Sequence, residues 1–444
     1  MGLNHGTNIP TNGLVLLLDA SSRRSTLRAA QSSNILTDPH SWTEGTGSFT
    51  GYGANGSATE QLRTTITDDP WGGRSVIWRT TPDATSGADG GWNTSTYSIN
   101  RNFTYRWSIW VRRHTAGVGG TFYMGMNPSP IRNDNGAVQS NPYFTYPAIS
   151  ALTQNQWYLV VGHCFYEGYD GGTRHPDSGW YEKTATGGVR IADKSYGNVG
   201  TQDVRWQATT NGALHRVYHY YTTNTASGLE FAYPRLDKCD GTEPTIDELL
   251  TTGESKWRDL SGNGNDGIVQ SQTDVTWTTQ DGGVMDFNGS TTGSWITCTG
   301  PNLTTSDYTV IGISRYMTAQ RGRFISANAN NWLMGHWSNG SERHYANGWV
   351  TASSGGANDT FWRVYAATGR LSTDQFSFWV NGTKVVNNST GGANGPNGFQ
   401  LGRYYANTTE FTNGELMYLS AYNRVLSDNE IKNVTAALRK RVNV

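Results

Sequence analysis

The chain has 444 residues, with 34 Lys and Arg against 35 Asp and Glu and a net charge of -1, so it exerts no long-range pull on nucleic acid or an acidic membrane. Its 54 Gly, 17 Trp and 23 Tyr beside only 16% charged residues describe short strands joined by Gly- and Asn-rich turns, in a chain long enough for two sandwich domains. The cysteines Cys164, Cys239 and Cys298 are widely spaced and odd in number, which supports neither a disulfide framework nor a zinc knuckle.

The opening M-G-L-N-H-G lacks the basic-then-apolar pattern of a secretory signal, and no stretch reaches the length of a membrane span. Gly13 to Asp19, G-L-V-L-L-L-D, is an apolar run entered by Asn12-Gly13, the pattern of a buried strand. From Asn34-Ile35-Leu36-Thr37-Asp38-Pro39 and Ser41-Trp42 the text changes character. Ser75–Arg79 and Thr104–Arg112 alternate with period two. In the second, Tyr105, Trp107, Ile109 and Val111 share one face of a half-buried strand, and Arg106, Ser108, Trp110 and Arg112 the other. Gln156–Phe165 reads as a more fully buried strand. Tyr166 to Gly200 reads as a long loop or small hairpin. Leu214–Tyr221 and Leu229–Leu236 close the region, with Pro234 placing the latter at an edge or a bulge. Thr245 and Glu248 form a capping box for one short helical turn.

Trp257 to Gly267, W-R-D-L-S-G-N-G-N-D-G, is a tight turn-rich loop running into Ile268-Val269. Gly283–Ser290, G-V-M-D-F-N-G-S, carries an Asn-Gly pair that turns the chain toward Ser294–Cys298. Asp307–Ser314 supplies a strand. Phe376–Val386 is a hairpin about the type I′ pair Asn381-Gly382. At the end, Ser427 caps a helix with Glu430 at N3, Leu426 can staple onto Ile431, and Ile431, Val434 and Leu438 share a face.

Together G-L-V-L-L-L-D-A, W-R-D-L-S-G-N-G-N-D-G, G-V-M-D-F-N-G-S and the closing Y-N-R-V-L-S-D-N-E-I resemble the LamG-like, concanavalin-type jelly rolls common in bacteriophage virion proteins. The N-I-L-T-D-P...W stretch resembles the opening of galactose-binding-like, carbohydrate-binding jelly rolls. The resemblance implies an all-β chain of two β-sandwich (jelly-roll) domains, one inserted into the other, with a short C-terminal helix. Residues 1–25 plus 253–444 would form the LamG-like sandwich and residues 31–250 the inserted one.

Glycanases on such sandwiches carry paired acids in a Glu-x-Asp-x-x-Glu pattern, which is absent here, as are G-x-S-x-G, H-E-x-x-H, a P-loop and a G-x-G-x-x-G after a strand. His215 and His219, four apart on one face, could in principle pair on a metal, but core or surface packing is the preferred reading. The expectation is a protein without catalytic activity. Sugar binding needs aromatic faces beside hydrogen-bonding groups. Tyr169, Trp180 and Tyr181 lie in the long loop region with Tyr166, Asp170, Arg174 and His175. Trp332, Trp337, His344, Tyr345 and Trp349 crowd a Gly/Asn-rich region, with Tyr404 later. An aromatic-rich sandwich also buries many such rings, or turns them to a neighbouring subunit, and the sequence leaves these uses open. No cofactor is required. Calcium is the one the resemblance brings, with Asp19, Asp237, Asp240 and Asp259 as loop-edge acids that equally form turns.

The function implied is that of a phage structural protein, a capsid decoration, head fibre, tail fibre or baseplate component. It would be assembled in the host cytoplasm into a virion and present as a homo-oligomer or in several copies. Its partners would be other virion proteins and host-surface polysaccharide, with no nucleic acid and no membrane. The alternatives are a phage polysaccharide depolymerase with dispersed acids, or a free lectin or adhesin.

Overall fold

The computed structural model describes residues 9–22, 25–26, 34–36, 42–140, 142–145, 149–171, 174–184, 187–191, 204–251, 255–278, 280–354, 356–406 and 410–444. Residues 37–41 of the N-I-L-T-D-P...W stretch, Arg23-Arg24, Gly172, Gly253 and the end of the long loop from 192 lie outside them. The chain is all-β with a C-terminal helix, and it divides into two compact units. Met1–Arg28, Trp71–Gly73 and Thr252–Val444 form one, and Ala29–Pro70 and Arg74–Thr251 the other. No helix among the described residues is long and apolar enough to cross a membrane.

In the first unit an eight-stranded sheet runs Val275–Thr278, Val284–Asn288, Thr412–Tyr422, Tyr308–Arg321, Arg363–Arg370, Gln375–Val380, Thr383–Ser389, with Leu14–Asp19 also paired to Thr412–Tyr422. A seven-stranded sheet faces it, in the order Lys256–Trp257, Gly267–Val269, Ile296–Asn302, Asn397–Leu401, Ile325–Ser326, Trp332–Trp337, Gly340–Ala346. Leu16, Leu18, Trp257, Phe287, Trp332, Phe378 and Leu419 meet in the core between them. On the other face of the larger sheet Leu17, Ile311, Val364 and Trp379 pack with Ile431, Val434 and Leu438 of the helix Asp428–Val442. Alternation along each strand thus supplies two cores. The hairpin turn at Asn381-Gly382 has φ of 48° and 81°, as a type I′ turn requires. Asn288-Gly289 is different. It passes the chain from one sheet to the other, because Val284–Asn288 and Ile296–Asn302 pair with different partners.

The W-R-D-L-S-G-N-G-N-D-G loop has a legible task. Leu14–Asp19 pairs along one edge only, and the loop completes the other with side chains. Asp259 Oδ1 accepts from the Leu17 amide (2.8 Å), Asn263 Nδ2 donates to the Leu14 carbonyl (3.2 Å), and Asn265 Nδ2 donates to the Val15 carbonyl (2.8 Å). The Leu260 amide donates to the Leu17 carbonyl. Buried backbone groups must be paired, and here Asp and Asn substitute for a neighbouring strand.

The second unit has a ten-stranded sheet in the order Ile131–Arg132, Val204–Arg205, Trp157–Phe165, Tyr105–Arg113, Leu229–Lys238, Ser75–Thr80, Gln61–Ile66, Gly45–Thr46, with Gly179–Thr184 and Gly187–Ile191 branching from Trp157–Phe165. The facing six-stranded sheet runs Tyr143–Thr145, Thr121–Asn127, Gly212–Tyr220, Ala88–Thr94, Tyr52–Ala54, with Tyr97–Ser98 on Gly212–Tyr220. Its core is aromatic, with Trp42, Tyr52, Trp78 and Trp92 in mutual contact at 5.1 to 6.4 Å between centroids. Tyr105–Arg113 is buried on both faces rather than one. Its charged face is tolerated because the ions are paired. Arg112 and Arg79 meet Glu230, and Arg106 and Arg235 meet Asp237. Pro234 stands in a bulge of an interior strand, where register breaks between Ala232 and Arg235 and Tyr233 takes φ 52°.

Candidate functional site

Several of the aromatic residues expected in loops belong to strands. Trp180 and Tyr181 lie in Gly179–Thr184, 2% and 7% exposed. Trp332 and His344 face the core of their sandwich at 0% exposure. The expectation that these four bind sugar from loops is corrected, since a buried ring has no face to offer. The physical reason is strand alternation: Trp332 and Met334 point inward with their cross-strand partners Ala346 and His344. Tyr169 remains in a loop, but its ring stacks on Phe165 at 3.8 Å, and His175 stacks on His163 at 3.7 Å.

The other members do come together. Leu333, Trp337 and Tyr345 take the outward positions of the edge hairpin in the first unit. Trp349 packs on Trp337 and Tyr345, each at 5.1 Å. Trp337 Nε1 donates to Glu410 Oε2 (3.0 Å), which also accepts from Arg323 Nε (2.6 Å), and the Arg323 guanidinium lies 3.9 Å over the Tyr404 ring. These rings are half-buried, and the Trp337 indole and the Arg323 guanidinium are both committed to Glu410.

The second unit presents a different face, which the sequence reading passed over. On the six-stranded sheet His215, Val217 and His219 point inward opposite Met126, Met124 and Phe122. Arg216, Tyr218 and Tyr220 therefore point outward, with Tyr123, Tyr143 and Asn93 on the neighbouring strands. The rings form a continuous cluster, in which Tyr218 is only 6% exposed beneath its neighbours. Tyr123 meets Tyr143 at 4.7 Å, Tyr220 at 6.1 Å and Tyr221 at 6.3 Å, while Tyr218 meets Tyr143 at 6.1 Å and Tyr220 at 5.4 Å. Glycine is needed at position 125, where a Cβ would stand 2.7 Å from the Tyr143 ring. Polar groups are set among the rings. Asn93 Oδ1 accepts from Tyr218 Oη (2.6 Å) and Arg216 Nε (3.1 Å), and Asn55 Oδ1 from Tyr220 Oη (3.2 Å). Burial pushes the Tyr218 and Tyr220 phenols above their ordinary value, so both stay protonated donors at neutral pH. Rings with oriented amides and hydroxyls at their rims can stack on the apolar face of a sugar and bond its hydroxyls. The signal was in the sequence, in the R-x-Y-x-Y period of residues 216–220, but the rule that binding aromatics lie in loops hid it.

His215 and His219 are buried and separately tied, His215 Nε2 to the Ser108 carbonyl (3.2 Å) and His219 to Thr80 Oγ1 (3.0 Å) and the Gly119 carbonyl (3.1 Å). Burial lowers both to about 4. The loop-edge acids are engaged as well. Asp19 pairs with Arg441, Asp237 with Arg106 and Arg235, Asp240 with Thr242 and Lys238, and Asp259 with the amides of Leu17, Ser261 and Asn265. Among the described residues no three His, Cys, Asp or Glu gather to hold a metal ion.

No protein-family model matches the chain, and no curated protein matches it. Solved structures are similar to it at low identity. They include the binding domain of Paraclostridial Mosquitocidal Protein 1, 17% identical over 41% of this chain and 50% of that one, with a TM-score of 0.33. Domain 4 of AbnA, an extracellular arabinanase from Geobacillus stearothermophilus, in complex with arabinotriose, is 16% identical over 40% and 91%, TM-score 0.31. Trypanosoma rangeli sialidase in complex with sialic acid is 11% identical over 86% and 67%, TM-score 0.34. The chain thus spans about half the length of the toxin domain it matches. Two of the matched structures are of a sialidase and of a domain of an arabinanase. The expectation of a protein without catalytic activity is withdrawn, and no reaction is assigned in its place.

Proposed function

We propose that this chain is a glycan-binding protein that engages polysaccharide through the tyrosine face of its second unit. The observation that carries this reading is the set of outward rings Tyr123, Tyr143, Tyr220 and Tyr221, seated around the buried Tyr218, with Asn93, Asn55 and Arg216 among them. Large outward rings on a rigid sheet lose little entropy on binding and offer a flat stacking surface. The half-buried cluster of Trp337, Tyr345, Trp349 and Tyr404 in the first unit is a second, smaller contact surface in this reading.

In its biological setting the chain is a component of a bacteriophage virion, carried in several copies on other virion proteins and turned toward host-surface polysaccharide. The first unit is the LamG-like sandwich and the second the inserted galactose-binding-like one. The residues that support this are the motifs Gly13–Asp19, Trp257–Gly267 and Tyr422–Ile431, with the loop-to-strand bonding of Asp259, Asn263 and Asn265 as their physical basis. A glycan array probed with the full chain and with Tyr123→Ala/Tyr220→Ala tests the binding: the double variant is expected to lose all retained glycans. Equal retention by both proteins would remove the assignment. Mass spectrometry of purified phage particles tests the setting, which is lost if the chain is absent from them.

A further inference from the structure

Arg216 differs from six other arginines of its unit. Arg79, Arg106, Arg112 and Arg235 each meet a carboxylate, and Arg63 and Arg113 each donate to backbone carbonyls. Arg216 makes one bond, from Nε to Asn93 Oδ1. Its terminal amino groups reach no acceptor among the described residues. The guanidinium lies 5.5 Å from the Tyr218 ring centroid and 5.9 Å from that of Tyr143, half-buried in the middle of the tyrosine face. No Asp or Glu occupies the outward positions of the strands around it: Tyr123, Gly125, Asn93, Tyr218, Tyr220 and Tyr143 flank it. Asn93 fixes the Nε edge and orients the fork, leaving its two-pronged end for a ligand. A planar fork of this kind matches a carboxylate by paired charge-assisted hydrogen bonds.

From this juxtaposition we infer that the tyrosine face selects glycans bearing a carboxylate sugar, a uronic or sialic acid, with the carboxylate on the terminal amino groups of Arg216 and the sugar ring on a neighbouring tyrosine. The inference rests on the glycan-binding reading above and adds the chemical class of the ligand. Asn93 accepts through Oδ1 from both Arg216 and Tyr218 and so holds the guanidinium beside the phenol. The rings exclude water from the pair, which strengthens it relative to an exposed one.

The test uses acidic polysaccharides offered in matched pairs, native and carboxyl-reduced, so that each pair differs only in CO₂⁻ against CH₂OH. Titration calorimetry with the full chain is expected to give binding of at least one native polymer weakened about ten- to a hundredfold by carboxyl reduction. Arg216→Gln is expected to lower affinity for the native polymer by a similar factor, so that the ratio of native to reduced affinity falls toward one, while an unchanged urea-unfolding midpoint reports that the variant is folded; a ratio unchanged from that of the parent chain would overturn the inference. Raising NaCl from 50 to 500 mM, conditions chosen to span the screening range, should weaken native binding alone. Equal binding of both members of every pair, with Tyr123→Ala/Tyr220→Ala still abolishing it, would overturn the acidic preference and leave the glycan-binding reading standing. Binding of neither member of any pair, together with an empty array, would overturn both.

Discussion

Asp259→Ala probes how the W-R-D-L-S-G-N-G-N-D-G loop completes the edge of Leu14–Asp19. The carboxylate accepts from the Leu17 amide (2.8 Å), the Ser261 amide (2.8 Å) and hydroxyl (2.8 Å), and the Asn265 amide (3.0 Å). Leu17 is 0% exposed, so after truncation no water replaces the lost acceptor, and a buried unsatisfied donor costs about 1–3 kcal/mol. The Ser261 and Asn265 amides are part-buried and recover much of their loss by hydration. Releasing Asn265 also loosens its bond to Val15. The total expected is about 3–5 kcal/mol, a large share of the about 5–15 kcal/mol that holds a domain together. Asp259→Asn, which keeps an acceptor oxygen, should cost about 1–2 kcal/mol. Hydrogen exchange of the peptide covering Leu14–Asp19 reads the opening free energy where the bonds are, and urea unfolding followed by tryptophan fluorescence reads the global effect. A loss under about 1 kcal/mol for the alanine variant would refute the claim that side chains substitute there for a neighbouring strand.

Other outcomes follow from equally local features. Burial pushes the Asp89 carboxyl up to about 6, against the Thr222 amide that lowers it. The folded state therefore holds a proton that the unfolded chain has released above about 4. Stability should fall as pH rises from about 4 to 6, and Asp89→Asn should flatten that part of a denaturation-midpoint profile. Trp92→Ala empties the centre of the aromatic cluster with Trp42, Tyr52, Trp78 and Phe231 and should cost about 3–5 kcal/mol by urea unfolding. Ser427 accepts the Glu430 amide in a complete capping box. Ser427→Ala should cost about 1 kcal/mol, seen as faster exchange in the first turn of the C-terminal helix.

Local chemistry was legible in the residues themselves. The capping boxes at Thr245 and Ser427, the type I′ turn at Asn381-Gly382 and the alternation of Phe376–Val380, which here runs between two cores, depend on neighbours within four positions, and the structure has them. So does the apolar run Leu14–Asp19, whose composition demands burial on both faces. What the residues could not tell is which rings face water. Trp332 and Trp337 sit in one strand, five apart, so alternation puts them on opposite faces, but only the packed sheets decide which of the two is covered. Tyr218 and Trp92 lie on facing strands of one sheet and point to opposite sides of it. Whether a pleated strand's aromatic face is core or surface depends on which side the second sheet covers, a matter of pairings up to hundreds of residues apart, and the tyrosine face around Arg216 comes into being only once that side is chosen.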